Sequence, residues 1–121
     1  MYLTVQRLST VGCVPVRPNE PTVITPTVFI EGQPTDMICL SEGGYPQQSV
    51  DWYNGTVSSQ TRLTGVISFH TINDFYKVRN TLTFAPTSAD DGIQLICLSS
   101  YSDEPRLIEE AHTVIRLASE F

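Results

Sequence analysis

Residues 39–56 read CLSEGGYPQQSVDWYNGT and place a cysteine thirteen positions before the only tryptophan of the chain. Gly-Gly-Tyr-Pro and Asn-Gly interrupt this stretch, and both are turn-forming sequences. We therefore expect strands at about 35–41 and 49–54, on either side of the first turn. Alternation along these strands places Cys39 and Trp52 on their apolar faces, which predicts that both side chains point into a core.

Short strands with turn sequences between them recur along the rest of the chain. Its 121 residues are enough for one domain with a single core. The spacing predicts an all-β sandwich of about seven antiparallel strands in two sheets. We expect these strands at about 22–30, 35–41, 49–54, 61–69, 76–84, 93–100 and 110–117.

A second cysteine falls on the strand predicted at 93–100. Cys97 lies 58 positions after Cys39 and shares its apolar face with Leu95. If the two strands face each other from opposite sheets, a disulfide between them stabilises the fold by roughly 4 kcal/mol through loop closure. Trp52 would then pack against this disulfide, with Leu95 beside it in the core. The alternative is a pair of buried free thiols in a cytosolic protein.

Charge and composition argue against several classes of function. The formal net charge is −6, and the seven Lys and Arg residues are scattered along the chain. Binding to nucleic acid or to an anionic membrane surface needs a basic patch, so we expect neither partner. His70, one residue after the strand predicted at 61–69, and His112, on the strand predicted at 110–117, have no ligands at suitable spacing. We therefore expect no metal site, no cofactor, no catalytic residue and no enzymatic activity.

Cys39, Trp52 and Cys97, with Asp90-Asp91-Gly92 before the second cysteine, resemble the core signature of the immunoglobulin superfamily in its constant-type and intermediate sets. The stretches SADDGIQLICLSS and NDFYKVRNTLTF resemble the second domains of nectin and nectin-like adhesion molecules. CLSEGGYPQQSVDWYNG resembles the constant-type domains of butyrophilin-like costimulatory ligands. Leu95 replaces the tyrosine that the family often places two residues before the second cysteine. It can keep the core contact of that tyrosine but not its hydrogen bond.

The resemblance implies an immunoglobulin-like domain over residues 20–118 and a tail at 119–121. Residues 1–19 are then a proline-rich linker, in which the last strand of a preceding domain is an alternative to a flexible leader. The implied function is that of an extracellular domain in a cell-surface membrane receptor or adhesion molecule. Such a domain acts by protein–protein recognition, self-association included, or as a spacer. The alternative is a secreted innate immune protein that binds microbial carbohydrate or protein.

Candidate interface residues lie on the outward positions of the sheet that contains Trp52. They are aromatic or aliphatic where a solvated sheet would be polar: Tyr53, Ile96, Leu98 and Val114. Exposed aromatic and aliphatic groups of this kind mark protein contacts, so we predict a partner surface here. The alternative is that a neighbouring domain or a long loop covers them.

Two further residues suggest covalent modification. Asn54-Gly55-Thr56 is a glycosylation sequon, which also has the form of a tight turn. Cys13 is left over once Cys39 and Cys97 are paired, and in an oxidising compartment an odd cysteine suggests an intermolecular disulfide. The alternative for Cys13 is an unpaired thiol.

Overall fold

The computed structural model describes residues 15–55, 61–101 and 104–118, with 104–107 described by backbone only. The described residues form eight strands in two four-stranded sheets, and neighbouring strands are antiparallel. The predicted sandwich is therefore confirmed. In chain order the strands are β1 (Thr22–Ile24), β2 (Thr35–Gly44), β3 (Ser49–Asn54), β4 (Thr61–Leu63), β5 (Val66–Ile72), β6 (Phe75–Phe84), β7 (Gln94–Tyr101) and β8 (Glu104–Val114).

The spatial order is β1-β2-β6-β5 in the first sheet and β4-β3-β7-β8 in the second. The predicted disulfide is present: it joins Cys39 on β2 to Cys97 on β7 and so links the two sheets. Trp52 and Leu95 lie in the same buried core. Each face that alternation predicted to be apolar thus packs against the other sheet, and the apolar area removed from water drives the two layers together.

Two hydrogen bonds connect the sheets beside this apolar core. The indole Nε1 of Trp52 donates to the backbone oxygen of Asn80 on β6 at 3.2 Å. The side-chain Nδ2 of Asn80 donates to the backbone oxygen of Val50 on β3 at 2.7 Å. Asn80 is buried, so these bonds supply partners for polar groups that burial would otherwise leave unsatisfied.

The single strand predicted at 61–69 is wrong, because the chain crosses there from one sheet to the other. β4 pairs with β3 in the second sheet, and β5 pairs with β6 in the first. Gly65 lies at the crossing, where a Cβ atom would collide with the Asn80 side chain and would lie 2.8 Å from the backbone oxygen of Thr81. The crossing is therefore compatible with glycine and not with a larger residue in the same backbone position.

The strand predicted at 22–30 also changes sheets. β1 ends at Ile24, just before Pro26, which has no N–H to continue a ladder. Phe29 then forms a bridge to Leu117 beside the second sheet, with its N–H donating to the backbone oxygen of Arg116 at 2.7 Å. Phe29 is fully buried, so this short bridge closes one end of the core.

Part of the predicted proline-rich linker packs against the sandwich. Val16 forms a bridge with Tyr45, and the N–H of Asn19 donates to the backbone oxygen of Glu42 at 2.8 Å. Pro18 is fully buried. The hydroxyl of Tyr101 lies 2.9 Å from the backbone oxygen of Val16. Residues 16–19 are therefore held on the domain; we call them the N-terminal strap.

Candidate interaction face

The four candidate interface residues lie on the outer face of the second sheet. Tyr53 on β3 is directly opposite Ile96 on β7, and Leu98 is the next outward residue along β7. Val114 on β8 is opposite Gln94, two positions before Ile96. The four residues thus form one group around Ile96, and we call this group the interaction face.

Ile96 is not exposed as the sequence led us to expect: only 1% of it is accessible to solvent. Its cross-strand neighbours are Tyr53 on one side and His112 on the other. Because β7 is an inner strand of the sheet, residues with long side chains flank Ile96 on both sides. Ile96 therefore forms the floor of the interaction face. Tyr53 and Leu98 are half-buried and Val114 is exposed, so these three form its accessible surface.

Polar groups border this apolar centre on both sides. Towards β4, Arg62 Nη2 lies 2.9 Å from Asp51 Oδ1. Towards β8, the Gln94 amide donates to Nδ1 of His112 at 2.7 Å, and His112 Nε2 lies 3.5 Å from Glu110 Oε1. An apolar centre with a polar rim is the usual anatomy of a protein–protein interface.

The contacts that form this rim could not be read from the sequence. The place of Arg62 depends on the register between β3 and β4, where Arg62 is opposite Tyr53. The contact between Gln94 and His112 depends in the same way on the pairing of β7 with β8. Ile108 is a further exposed aliphatic residue of this sheet. It lies on β8, before the start of the strand that the sequence predicts at 110–117. No local sequence signal marks pairings between residues this far apart.

Other candidate sites are not brought together. His70 lies on β5 in the first sheet and His112 on β8 in the second. Among the described residues, no group of three or more His, Cys, Asp and Glu side chains could hold a metal ion. The same part of the chain contains no helix with the length and apolar character needed to cross a membrane.

The two modification candidates are only partly described. Asn54 is the last residue of β3 and is half-buried, whereas Thr56 of its sequon and the leftover Cys13 lie outside the described residues. Glycosylation of Asn54 and an intermolecular disulfide through Cys13 stay predictions.

The model of the CD80-like C2-set immunoglobulin domain family matches residues 18–106 of this chain. The chain belongs to this family. The CD166 antigen of Homo sapiens is 27% identical to this C2-set domain over 92 residues, which cover 70% of the chain and 16% of that protein. The chain thus spans about a sixth of the length of this curated relative.

Solved structures show the same fold. The full ectodomain of mouse nectin-like molecule 4 matches with a TM-score of 0.73 and 24% identity, over 85% of this chain and 35% of that one. Rst D1-D2 matches with a TM-score of 0.73 and 17% identity, over 88% of this chain and 52% of that one. Bovine butyrophilin matches with a TM-score of 0.63 and 17% identity, over 81% and 43%. The predicted immunoglobulin-superfamily membership is confirmed.

Proposed function

We propose that this C2-set domain is a non-enzymatic extracellular recognition module of a cell-surface receptor or adhesion molecule. It binds a protein partner through the interaction face. The observation that carries this proposal is the apolar centre of that face on a solvent-facing sheet, bordered by polar groups on both sides. The immunoglobulin fold supports many functions, so this surface rather than the fold indicates the function.

The disulfide supports an extracellular location. Disulfides form and persist in oxidising compartments, whereas cytosolic thiols are kept reduced. The bond between Cys39 and Cys97 is fully buried within the core, which is typical of a structural disulfide rather than a redox-active one.

Tyr53 and Leu98 are expected to contribute most of the affinity. Both are half-buried, so a partner that covers them removes further apolar surface from water at about 25 cal/mol per Å². The Asp51–Arg62 pair at the rim is largely exposed on the arginine side and contributes little affinity, although it can steer association. A partner is therefore recognised mainly by the apolar centre, and the charged rim affects its association rate.

A binding experiment with an array of cell-surface ectodomains tests this proposal. The probe is the 121-residue chain fused to a tetramerising tag, applied to the arrayed ectodomains and, separately, to arrayed glycans. We expect binding to one or more ectodomains, and we expect Tyr53→Ala and Leu98→Arg each to weaken it at least tenfold. Urea unfolding of each variant checks that its fold is retained.

The matched control is Ile38→Arg. Ile38 is a half-buried aliphatic residue on the outer face of the first sheet, so this variant makes the same kind of change away from the interaction face. Equal effects of Leu98→Arg and Ile38→Arg would contradict the proposed face. Binding to glycans alone would favour the alternative of a secreted protein that recognises microbial carbohydrate, and no binding at all would favour a spacer.

A further inference from the structure

The edge strand β5 exposes more apolar surface than a solvated strand requires. All seven of its residues are exposed, although it pairs with β6 without a register shift. The accessible fractions are 74% for Val66, 46% for Ile67, 55% for Phe69 and 47% for Ile72. Apolar residues are thus exposed on both faces of the strand, and an apolar patch of this kind marks a site of contact.

The length of β4 explains why the inner face of β5 is uncovered. β4 is the edge strand of the opposite sheet and ends at Leu63 after three residues. Among the described residues it is too short to cover the inward-facing Ile67 and Phe69, which stay about half exposed. The Phe69 ring is 5.9 Å from that of Tyr76, which is 6.3 Å from that of Tyr45. A row of aromatic rings thus runs across the first sheet and ends in solvent at Phe69.

The other three edge strands of the two described sheets have features that prevent pairing with another chain. β1 and β4 have only three residues each, and Pro21 and Pro26 flank β1. β8 contains Pro105 and four charged residues. Short edges, proline and charge are the usual means by which proteins protect sheet edges. β5 has none of them: it is seven residues long and contains no proline, lysine, arginine, aspartate or glutamate.

We propose that β5 is a homodimer contact, in which the β5 strands of two copies pair antiparallel about a two-fold axis at Phe69. In this register each residue pairs with the one whose number brings the sum to 138, so all seven residues overlap. Phe69 then faces Phe69 of the partner subunit, and Ser68 faces His70 of the partner subunit. The two rows of aromatic rings become continuous across the axis, where cross-strand aromatic pairs stabilise a sheet.

Electrostatic repulsion is weaker for dimerisation through the β5 edge than for dimerisation through other surfaces of the domain. The chain has a formal net charge of −6, so two copies repel each other over most of their surfaces. β5 contains no lysine, arginine, aspartate or glutamate, so self-pairing places no two of these side chains directly opposite each other, and Lys77 and Arg79 lie one strand further in. A seven-residue edge buries less than the roughly 800 Å² per partner of a stable interface, which places this dimer among weak, transient contacts.

Sedimentation equilibrium on the 121-residue chain tests this dimer. Cys13→Ser is used as the background so that thiol chemistry does not contribute. The series runs from about 10 μM to about 1 mM, the range of weak contacts. We expect a monomer–dimer equilibrium that Ile67→Lys weakens at least tenfold. The matched control is Ile24→Lys, which makes the same substitution at a residue with 49% accessibility on the opposite edge of the same sheet. Ile24→Lys should leave the equilibrium unchanged.

Disulfide trapping tests the register in the same background. Ser68→Cys and His70→Cys variants are oxidised separately and as an equimolar mixture. Residues directly opposite on antiparallel strands are close enough for a disulfide, and diagonal ones are less so. We expect the mixture to form covalent dimer several-fold faster than either variant alone.

Three results would overturn the proposal. They are a chain that stays monomeric to about 1 mM, equal effects of Ile67→Lys and Ile24→Lys, and equal trapping rates of the mixture and the single variants. If a neighbouring domain or another protein covers β5, the isolated chain is monomeric and the proposal fails. Partner binding through Leu98 is measured separately, so failure of this dimer leaves the proposed function standing.

Discussion

Replacing Tyr101 by phenylalanine removes one hydroxyl group at the point where the N-terminal strap meets the sandwich. The hydroxyl oxygen lies 2.9 Å from the backbone oxygens of Val16 and of Pro46. Its single proton can be donated to one of them at a time. Tyr101 itself is buried, whereas its two acceptors belong to the half-buried Val16 and the exposed Pro46. The loss therefore falls on the strap and on the turn between β2 and β3.

A hydrogen bond of this kind contributes about 0.5–1.5 kcal/mol. The ring packing is retained in Tyr101→Phe, and the bridge between Val16 and Tyr45 remains. We therefore expect the free energy of unfolding to fall by about 0.5–1.5 kcal/mol at pH 7. Each kcal/mol corresponds to a decrease of roughly 3–5 °C in Tm for a domain of this size.

The effect of Tyr101→Phe should depend on pH. Burial raises the pKa of the Tyr101 hydroxyl above its usual value and outweighs the lowering by a backbone hydrogen bond at Tyr45. Above about pH 10 the unfolded chain therefore releases this proton more readily than the folded one. The free energy of unfolding then falls as the pH rises from the unfolded pKa through the folded pKa. Tyr101→Phe lacks this group, so the difference between the two proteins should shrink in this alkaline range.

Urea unfolding at pH 7 and at several values between pH 9 and pH 11 measures both effects. The matched control is Tyr53→Phe, because within the described residues the Tyr53 hydroxyl makes no hydrogen bond. This control should change the free energy of unfolding by less than about 0.5 kcal/mol. If Tyr101→Phe is as stable as the control, the hydroxyl does not hold the strap. If the difference from the wild-type protein stays constant up to pH 11, our interpretation of the raised pKa is wrong.

Three further predictions follow from single positions. Gly65→Ala should destabilise the fold by about 1–3 kcal/mol, because the added Cβ collides with Asn80 and approaches the Thr81 carbonyl; an unchanged urea midpoint would show that the crossing relaxes. Without reductant, a fraction of the protein should migrate as a covalent dimer on a denaturing gel, and Cys13→Ser should abolish this band; a band that persists would exclude Cys13 as the link. Expressed in a glycosylating cell, the chain should gain the mass of one glycan that Asn54→Gln lacks, and identical masses would refute the modification.

Local alternation was sufficient to predict the core. Cys39, Trp52 and Cys97 each sit on a strand whose inward positions are apolar, and the pattern can be read without knowing which strands are neighbours. The burial of Ile96 could not be read in this way. Its direction follows from alternation, but its depth depends on which strands lie beside β7, and these place Tyr53 and His112 on either side of it.

The division between β4 and β5 shows a second limit of local patterns. Residues 61–69 favour extended structure throughout, and propensity alone does not show that the chain changes sheets within them. Gly65 was the available signal, because an isolated glycine within a strand pattern often marks a close backbone approach. Proline density likewise predicted an irregular segment before residue 20. It could not show that Pro18 is buried, because burial depends on distant strands.

The proposed dimer would present two interaction faces in the same direction. Pairing β5 strands makes one continuous sheet from the two first sheets, and its two-fold axis runs perpendicular to that sheet. Both second sheets then lie on the same side, with their outer faces pointing the same way. A surface that displays the partner could engage both faces, and the second contact would benefit from a high effective concentration. Ile67→Lys should therefore weaken capture by a densely coated surface while leaving affinity for a soluble monomeric partner unchanged. Leu98→Arg should weaken both, and equal losses for Ile67→Lys in the two formats would mean that β5 contacts the partner directly.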